Sequence, residues 1–133
     1  MRQIDINNKK AIIMSYKDLE IYQLARELSI EIHKMTLKEL PKFEMFEEGS
    51  QIRKSSKSTH HNIVEGYGRK RYPNEFIHFI VISIASNDET RDHLETLYET
   101  ESLKNKEIFE RLLNKTDKLG IKLYNFLDFL SRR

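Results

Sequence analysis

The chain has 133 residues, with 38% apolar and 33% charged side chains, 10% aromatics and a formal net charge of only +2. One hydrophobic core fits that length, and the aromatic content argues against disorder. With four glycines, two prolines and no cysteine, the sequence excludes disulfide staples, thiol catalysis and cysteine-zinc sites, and it disfavours turn-rich sandwiches and barrels.

In chain order, residues 1–15 lack a clear period and read as a flexible arm, with the short apolar run Ala11 to Met14 able to dock on the domain that follows, 16–133. A first helix is predicted from near Ser15 to Asp18 through Lys38. Its stripe is Ile21, Ala25, Leu28, Ile32 and Met35, in steps that keep one face toward a partner. Leu40-Pro41 ends it. The aromatic connection through Phe43, Phe46 and Gly49 is expected to tuck its rings against the bundle. A second helix is predicted over Gly49 to Glu65, with a thin apolar face (Ile52, Ser56, Thr59, Ile63) and small residues that allow close helix approach. Gly66 suits a left-handed C-terminal cap.

Pro73 suits the first turn of a third helix, Tyr72 to Glu101. Its first half is apolar almost all round. A fourth helix is predicted over Lys106 to Leu130, on the stripe Ile108, Leu112, Leu119, Leu123, Phe126 and Leu130. Four such segments joined by short connections describe an all-α, antiparallel up-and-down four-helix bundle. The apolar surplus at Phe76, Phe79 and Ile82 needs a cover, either the N-terminal arm and aromatic loop or an oligomer interface with further copies of the chain. Asn87 falls on the third helix's stripe and reads as a satisfied amide that fixes register.

Charge is separated along the chain. Between Gln51 and Arg71 six basic residues (Arg53, Lys54, Lys57, Arg69, Lys70, Arg71) face Glu65 alone. Between Asp88 and Glu110 eight acids meet three bases, and the segment after Glu110 is basic again. A basic cluster attracts phosphate, so these six residues form the candidate nucleic-acid-binding set, with Tyr67 and Tyr72 placed to stack on unpaired bases. The alternative is charge pairing between the basic second helix and the acidic third.

Catalytic and metal signatures are weak. His60-His61, His61 with Glu65, Glu75-x-x-His78 and Glu89 with His93 each supply part of a metal pattern. A di-iron bundle needs Glu-x-x-His twice with two more carboxylates, and the second copy is missing. No phosphate-binding glycine loop or nucleophile elbow occurs. The sequence predicts a non-catalytic protein with no metal and no cofactor. No stretch approaches the ~18 apolar residues of a membrane span, and Met1 to Lys10 holds no signal-peptide core, so a cytoplasmic location is expected.

Several stretches resemble one family. Tyr16 to Ala25 (YKDLEIYQLA), Ser50 to Lys54 (SQIRK) and Asn62 to Gly68 (NIVEGYG), followed by Glu75-Phe76-Ile77 with Phe79, are similar to the four-helix bundle proteins encoded in intervening sequences of bacterial 23S rRNA genes. Asn62, Glu65 and Gly66 carry that family's signature. The resemblance spans about Tyr16 to Leu130. It implies an up-and-down bundle, a homopentameric ring and no known enzymatic activity. A related branch, the accessory variability protein of diversity-generating retroelements, resembles a basic pentameric barrel that binds reverse transcriptase and nucleic acid. The chain departs from the pattern at His60, Ser55, Ser56, Lys57, Asn87 and Thr90, which makes the second and third helices more polar. The function expected is an oligomer that binds RNA or DNA through its basic surface; the alternative is a protein-interaction or scaffold module with no nucleic-acid role. Glu65, unfavourable near a helix C-terminus, is expected to pair with a basic group or to hydrogen-bond the next helix, with Gly66 making the turn possible.

Overall fold

A computed structural model describes residues 15–132. The arm expected before residue 15, with Ala11 to Met14, lies outside the described residues. Ser15 opens the described chain in a capping box: its hydroxyl accepts from the Lys17 amide (2.9 Å), and Asp18 accepts from the Ser15 amide (3.1 Å). This fixes a short 3-10 turn at Tyr16–Asp18. Four helices follow: α1, Glu20–Lys38; α2, Glu48–Gly68; α3, Pro73–Glu99; and α4, Lys106–Ser131. Pro73 occupies the first turn of α3, where a missing amide hydrogen costs nothing. Asn105 caps α4 by accepting from the Ile108 amide.

Among the described residues α1 packs on α2 and α4, and α3 on α2 and α4, while the backbones of the diagonal pairs stay farther apart. Successive helices are thus spatial neighbours, and α4 closes the bundle against α1. The expected stripes face inward: Ile21, Ala25, Leu28, Ile32 and Met35 of α1, and Leu112, Leu119 and Leu123 of α4, are all buried. They meet Ile52 and Ile63 of α2 and Ile80, Leu94 and Leu97 of α3 in one core.

The α2–α3 seam is built differently. Serine and threonine replace the usual aliphatics, and their hydroxyls bond across it: Ser55 with Thr90 (2.8 Å), Ser58 with Ser86 (3.0 Å), and Ser83 donating to the Thr59 carbonyl (2.9 Å). Gly66 belongs to this seam. It lies inside α2 with an ordinary helical φ, so it is not the cap expected from sequence. A Cβ there would stand 3.0 Å from the Phe79 Cβ and 3.1 Å from the Phe76 ring, so glycine serves close approach rather than a left-handed turn.

The α1–α2 connection also departs from expectation. Phe43 and Phe46 do not tuck in: they are 61% and 87% exposed. The buried residue of that 3-10 turn (Lys42–Met45) is Glu44, 4% exposed. Its carboxylate accepts from the Gly49 amide (3.1 Å), one of the unbonded donors at the start of α2, and from the Ser102 hydroxyl (2.6 Å) beyond α3. Those two bonds satisfy the buried carboxylate, and the flanking rings turn outward. Among the described residues no helix is long and apolar enough to cross a membrane.

Candidate nucleic-acid interface

The charged faces of α1 divide between its two neighbours. Glu20, Glu27 and Glu31 look toward α4, where they meet Lys122, Lys115 and Arg111. Burial alone would raise the Glu31 pKa, but hydrogen bonds from Lys115 and Arg111 bring it below the ordinary carboxylate value. With its acids committed to α4, α1 turns Arg26, His33 and Lys34 toward α2.

There they line a groove of about 320 Å³ with Ser29 and Ile30 of α1 and Lys57, His60 and His61 of α2. No carboxylate lines it, and Arg26, Lys34 and Lys57 form no ion pair among the described residues. The Lys57 Nζ donates to Nδ1 of His33 (3.0 Å), which places the ring proton on Nε2 and leaves that N–H as a donor. Burial lowers the His33 pKa, and the Lys57 and Arg53 charges lower it further. His60, 5% exposed, is pushed down to about 4 by burial first, then by His61, Arg26 and Lys57. Both histidines register positive potential in the groove, and both are neutral near pH 7.

The six basic residues expected to bind nucleic acid fall into two groups. Arg53 and Lys57 flank this groove. Arg53 bridges α1 to the α1–α2 connection, donating to the Thr36 hydroxyl (3.0 Å) and the Met45 carbonyl (2.7 Å). Lys54, one position on, is exposed and forms no ion pair among the described residues. Arg69, Lys70 and Arg71 lie at the far end of α2. Arg69 is bound by Glu65 (2.8 Å) and Glu75 (2.9 Å), and it lies over the Phe79 ring. This meets the expectation that Glu65 pairs with a basic group. Lys70 sits over the ring of Tyr67, which is buried and so does not serve as the base-stacking surface expected of it, whereas Tyr72 is exposed. Of the three, Arg71 is exposed and has no partner among the described residues. Arg69, just past the end of α2, pairs with Glu75 of α3, but among the described residues the basic residues of α2 itself form no ion pair with the acids of α3. Arg26, Lys34 and His33 escaped the sequence reading because their α1 neighbours in sequence are acids that turn to the opposite side.

Asn62 donates to the Ser58 carbonyl (2.9 Å) and hydroxyl (3.0 Å) within α2. Phe76, expected at an oligomer interface, is 3% exposed and packs in the chain's own core against Tyr67 and Phe126, while Phe79 and Ile82 are half-buried. The uncovered apolar side chains nearby are instead Val81 of α3 and Ile121 and Tyr124 of α4. Asn87 donates to the Thr116 carbonyl (3.0 Å) and ties α3 to α4, but its buried Oδ1 has no partner among the described residues, so the amide is only half satisfied by them. His93 bonds to Glu48 across to α2 and to Glu89 on its own helix (3.2 Å). Among the described residues no group of three or more His, Asp or Glu is arranged to hold a metal ion.

Residues 17–125 match the family of 23S rRNA-intervening sequence proteins. The chain belongs to this family. One solved structure similar to this family member is a protein of unknown function from the S23 ribosomal protein family of Bacteroides thetaiotaomicron VPI-5482. It is 22% identical, with a TM-score of 0.73 over 80% of this chain and 97% of that one. At that identity the likeness speaks for the fold, and it agrees with the bundle described above. No curated protein matches the chain.

Proposed function

We propose that this protein is a non-catalytic, cytoplasmic binding protein that takes RNA or DNA into the α1–α2 groove. The supporting observation is the uncompensated charge there: Arg26, Lys34 and Lys57 converge with no carboxylate of the described residues between them. A polyanion that releases counterions is the natural ligand of such a surface. His33 adds an uncharged N–H donor for a phosphate oxygen. Lys54, Arg53 and Arg71 extend the basic surface along α2, while Arg69 is largely neutralised by its two glutamates. Fluorescence anisotropy with a labelled RNA over a range of salt tests this reading. Replacing Arg26, Lys34 and Lys57 together by alanine is expected to lower the salt slope by about 2, whereas Arg69→Ala changes it much less. Binding by the unmodified protein that does not depend on salt would remove the reading.

A second reading is supported by Val81, Ile121 and Tyr124, which are 47%, 64% and 56% exposed on neighbouring helices. They favour self-association through the α3–α4 side, with a pentamer as the assembly the family resemblance suggests. Light scattering is expected to give five times the 16.0 kDa chain mass. A monomer mass at micromolar concentration would leave the protein a single bundle, and a protein-interaction role would then have to use that face for another partner.

A further inference from the structure

We infer that the α1–α2 groove takes a nucleic-acid strand whose bases are unpaired, and that Phe46 stacks on one of those bases at the end of the groove. The inference rests on the nucleic-acid reading above and names the form of the ligand.

Three observations point to a single strand. The first is depth. His60 is buried and Lys57 and His33 are half-buried between the helices, so the cationic and donor groups lie in the recess as well as on its rim. A duplex presents its phosphates on a broad convex surface and meets the rim residues Arg26 and Lys34 alone. A single strand can lie in the recess and reach Lys57. The second is the make-up of the α1 wall. Arg26, Ile30 and His33 line it at helical spacing, and Leu37 continues the row one turn beyond it, alternating polar and apolar, with Ile30 and Leu37 42% and 53% exposed. That alternation suits a strand that shows phosphates and uncovered sugar and base faces in turn. The stripe is about 16 Å long, which corresponds to roughly four or five nucleotides at stacked spacing.

The third is Phe46. It is 87% exposed, more than any other large apolar side chain among the described residues. The turn that presents it is fixed at both sides: Arg53 bonds the Met45 carbonyl and reaches Thr36 of α1, and buried Glu44 anchors the preceding residues. Arg53 thereby joins the groove to the ring. A solvent-facing ring on an anchored turn beside a basic track is a stacking platform for any base, since every base has a π face. In a duplex those faces are already covered. The exposed carboxylate of Glu47 next to Phe46 repels phosphate, so base contact is the interaction left to the ring.

The test compares a labelled 12-nucleotide oligouridine with an RNA duplex of the same length by anisotropy, using the full chain and its Phe46→Ala and Phe46→Trp variants. The single strand is expected to bind at least about tenfold more tightly. Phe46→Ala is expected to weaken it about five- to a hundredfold with the salt slope unchanged, and to leave duplex binding as it was; Phe46→Trp is expected to retain or improve it. Because the ring is exposed, melting temperatures of both variants should match the parent. Equal affinity for both probes, or a Phe46→Ala variant that binds as the parent does, overturns the inference. So does a change in solution mass without a change in binding, which would assign the ring to a contact between copies. If alanine at Lys34 and Lys57 weakens both probes equally while Phe46→Ala has no effect, the nucleic-acid reading stands and the single-strand inference falls. If neither probe shows salt-dependent binding, both fall together.

Discussion

Gly49→Ala is expected to destabilise the protein by about 3 kcal/mol, although alanine is the better helix former by about 1 kcal/mol. Gly49 is buried in the first turn of α2 with an ordinary φ, so backbone freedom is not its role. An added Cβ would lie 2.4 Å from the Glu44 carbonyl oxygen and 3.1 Å from its carbon. Those are backbone atoms and cannot swing aside. Relieving the clash moves the turn away from α2, which breaks the bond from the Gly49 amide to the Glu44 carboxylate and loosens Ser102. Overpacking costs about 1–3 kcal/mol, and an unsatisfied buried carboxylate about as much again. The control lies nineteen residues on, at the end of the same helix. Among the described residues nothing approaches a Cβ at Gly68, so Gly68→Ala is expected to stabilise by about 0.5–1 kcal/mol. Thermal melts of the two variants should move in opposite directions, Gly49→Ala downward by roughly 10 °C. Parallel shifts would mean that helix propensity alone governs both positions.

Acidification from pH 7 to pH 4 is expected to remove about 3 kcal/mol of stability through His60. In the fold its pKa is near 4, against an ordinary 6.5, because burial and the neighbouring His61, Arg26 and Lys57 all oppose the charged ring. Between those values the unfolded chain binds more protons than the folded one. Stability is therefore complete above pH 6.5 and falls by about 1.4 kcal/mol per unit as the pH drops toward 4. His33, also shifted downward, adds to the loss in the same direction. Glu31 acts elsewhere: its lowered pKa supplies stability above 4.5 that disappears only in stronger acid. Melting temperatures measured from pH 7 to 4 should trace this decline, and His60→Asn should flatten it. An unchanged slope in that variant would assign the acid sensitivity to other groups. Nucleic acid bound in the groove opposes the same shift, because a nearby phosphate favours the protonated rings.

The helices were legible because their physics is local and periodic. The α1 stripe from Ile21 to Met35 and the α4 stripe from Leu112 to Leu123 announce buried faces, and Ser15, Pro73 and the Lys104-Asn105 break mark helix boundaries close to those observed. Residues governed by tertiary partners were not legible. Hydropathy favours burying Phe43 and Phe46 over Glu44, and only the Gly49 amide and the distant Ser102 hydroxyl reverse that choice. Gly66 looks like a cap until Phe76 and Phe79 are seen packed against it. Phe76 looks surplus until Tyr67 and Phe126 cover it. For the interface, the α2 contribution could be read from its run of bases. The α1 contribution could not, because Arg26 and Lys34 are interleaved with Glu27 and Glu31, and only the placement of α4 separates the signs.

The hydroxyl seam between α2 and α3 also bears on how stability varies with temperature. Exposing apolar surface raises heat capacity on unfolding, while exposing polar surface lowers it. A bundle that joins two helices through Ser55, Ser58, Ser83, Ser86 and Thr90 has exchanged part of the first term for the second. Its stability curve is correspondingly shallower than that of an all-aliphatic bundle of equal length. Such a protein gives up height at its temperature of maximum stability and keeps more of what remains on either side.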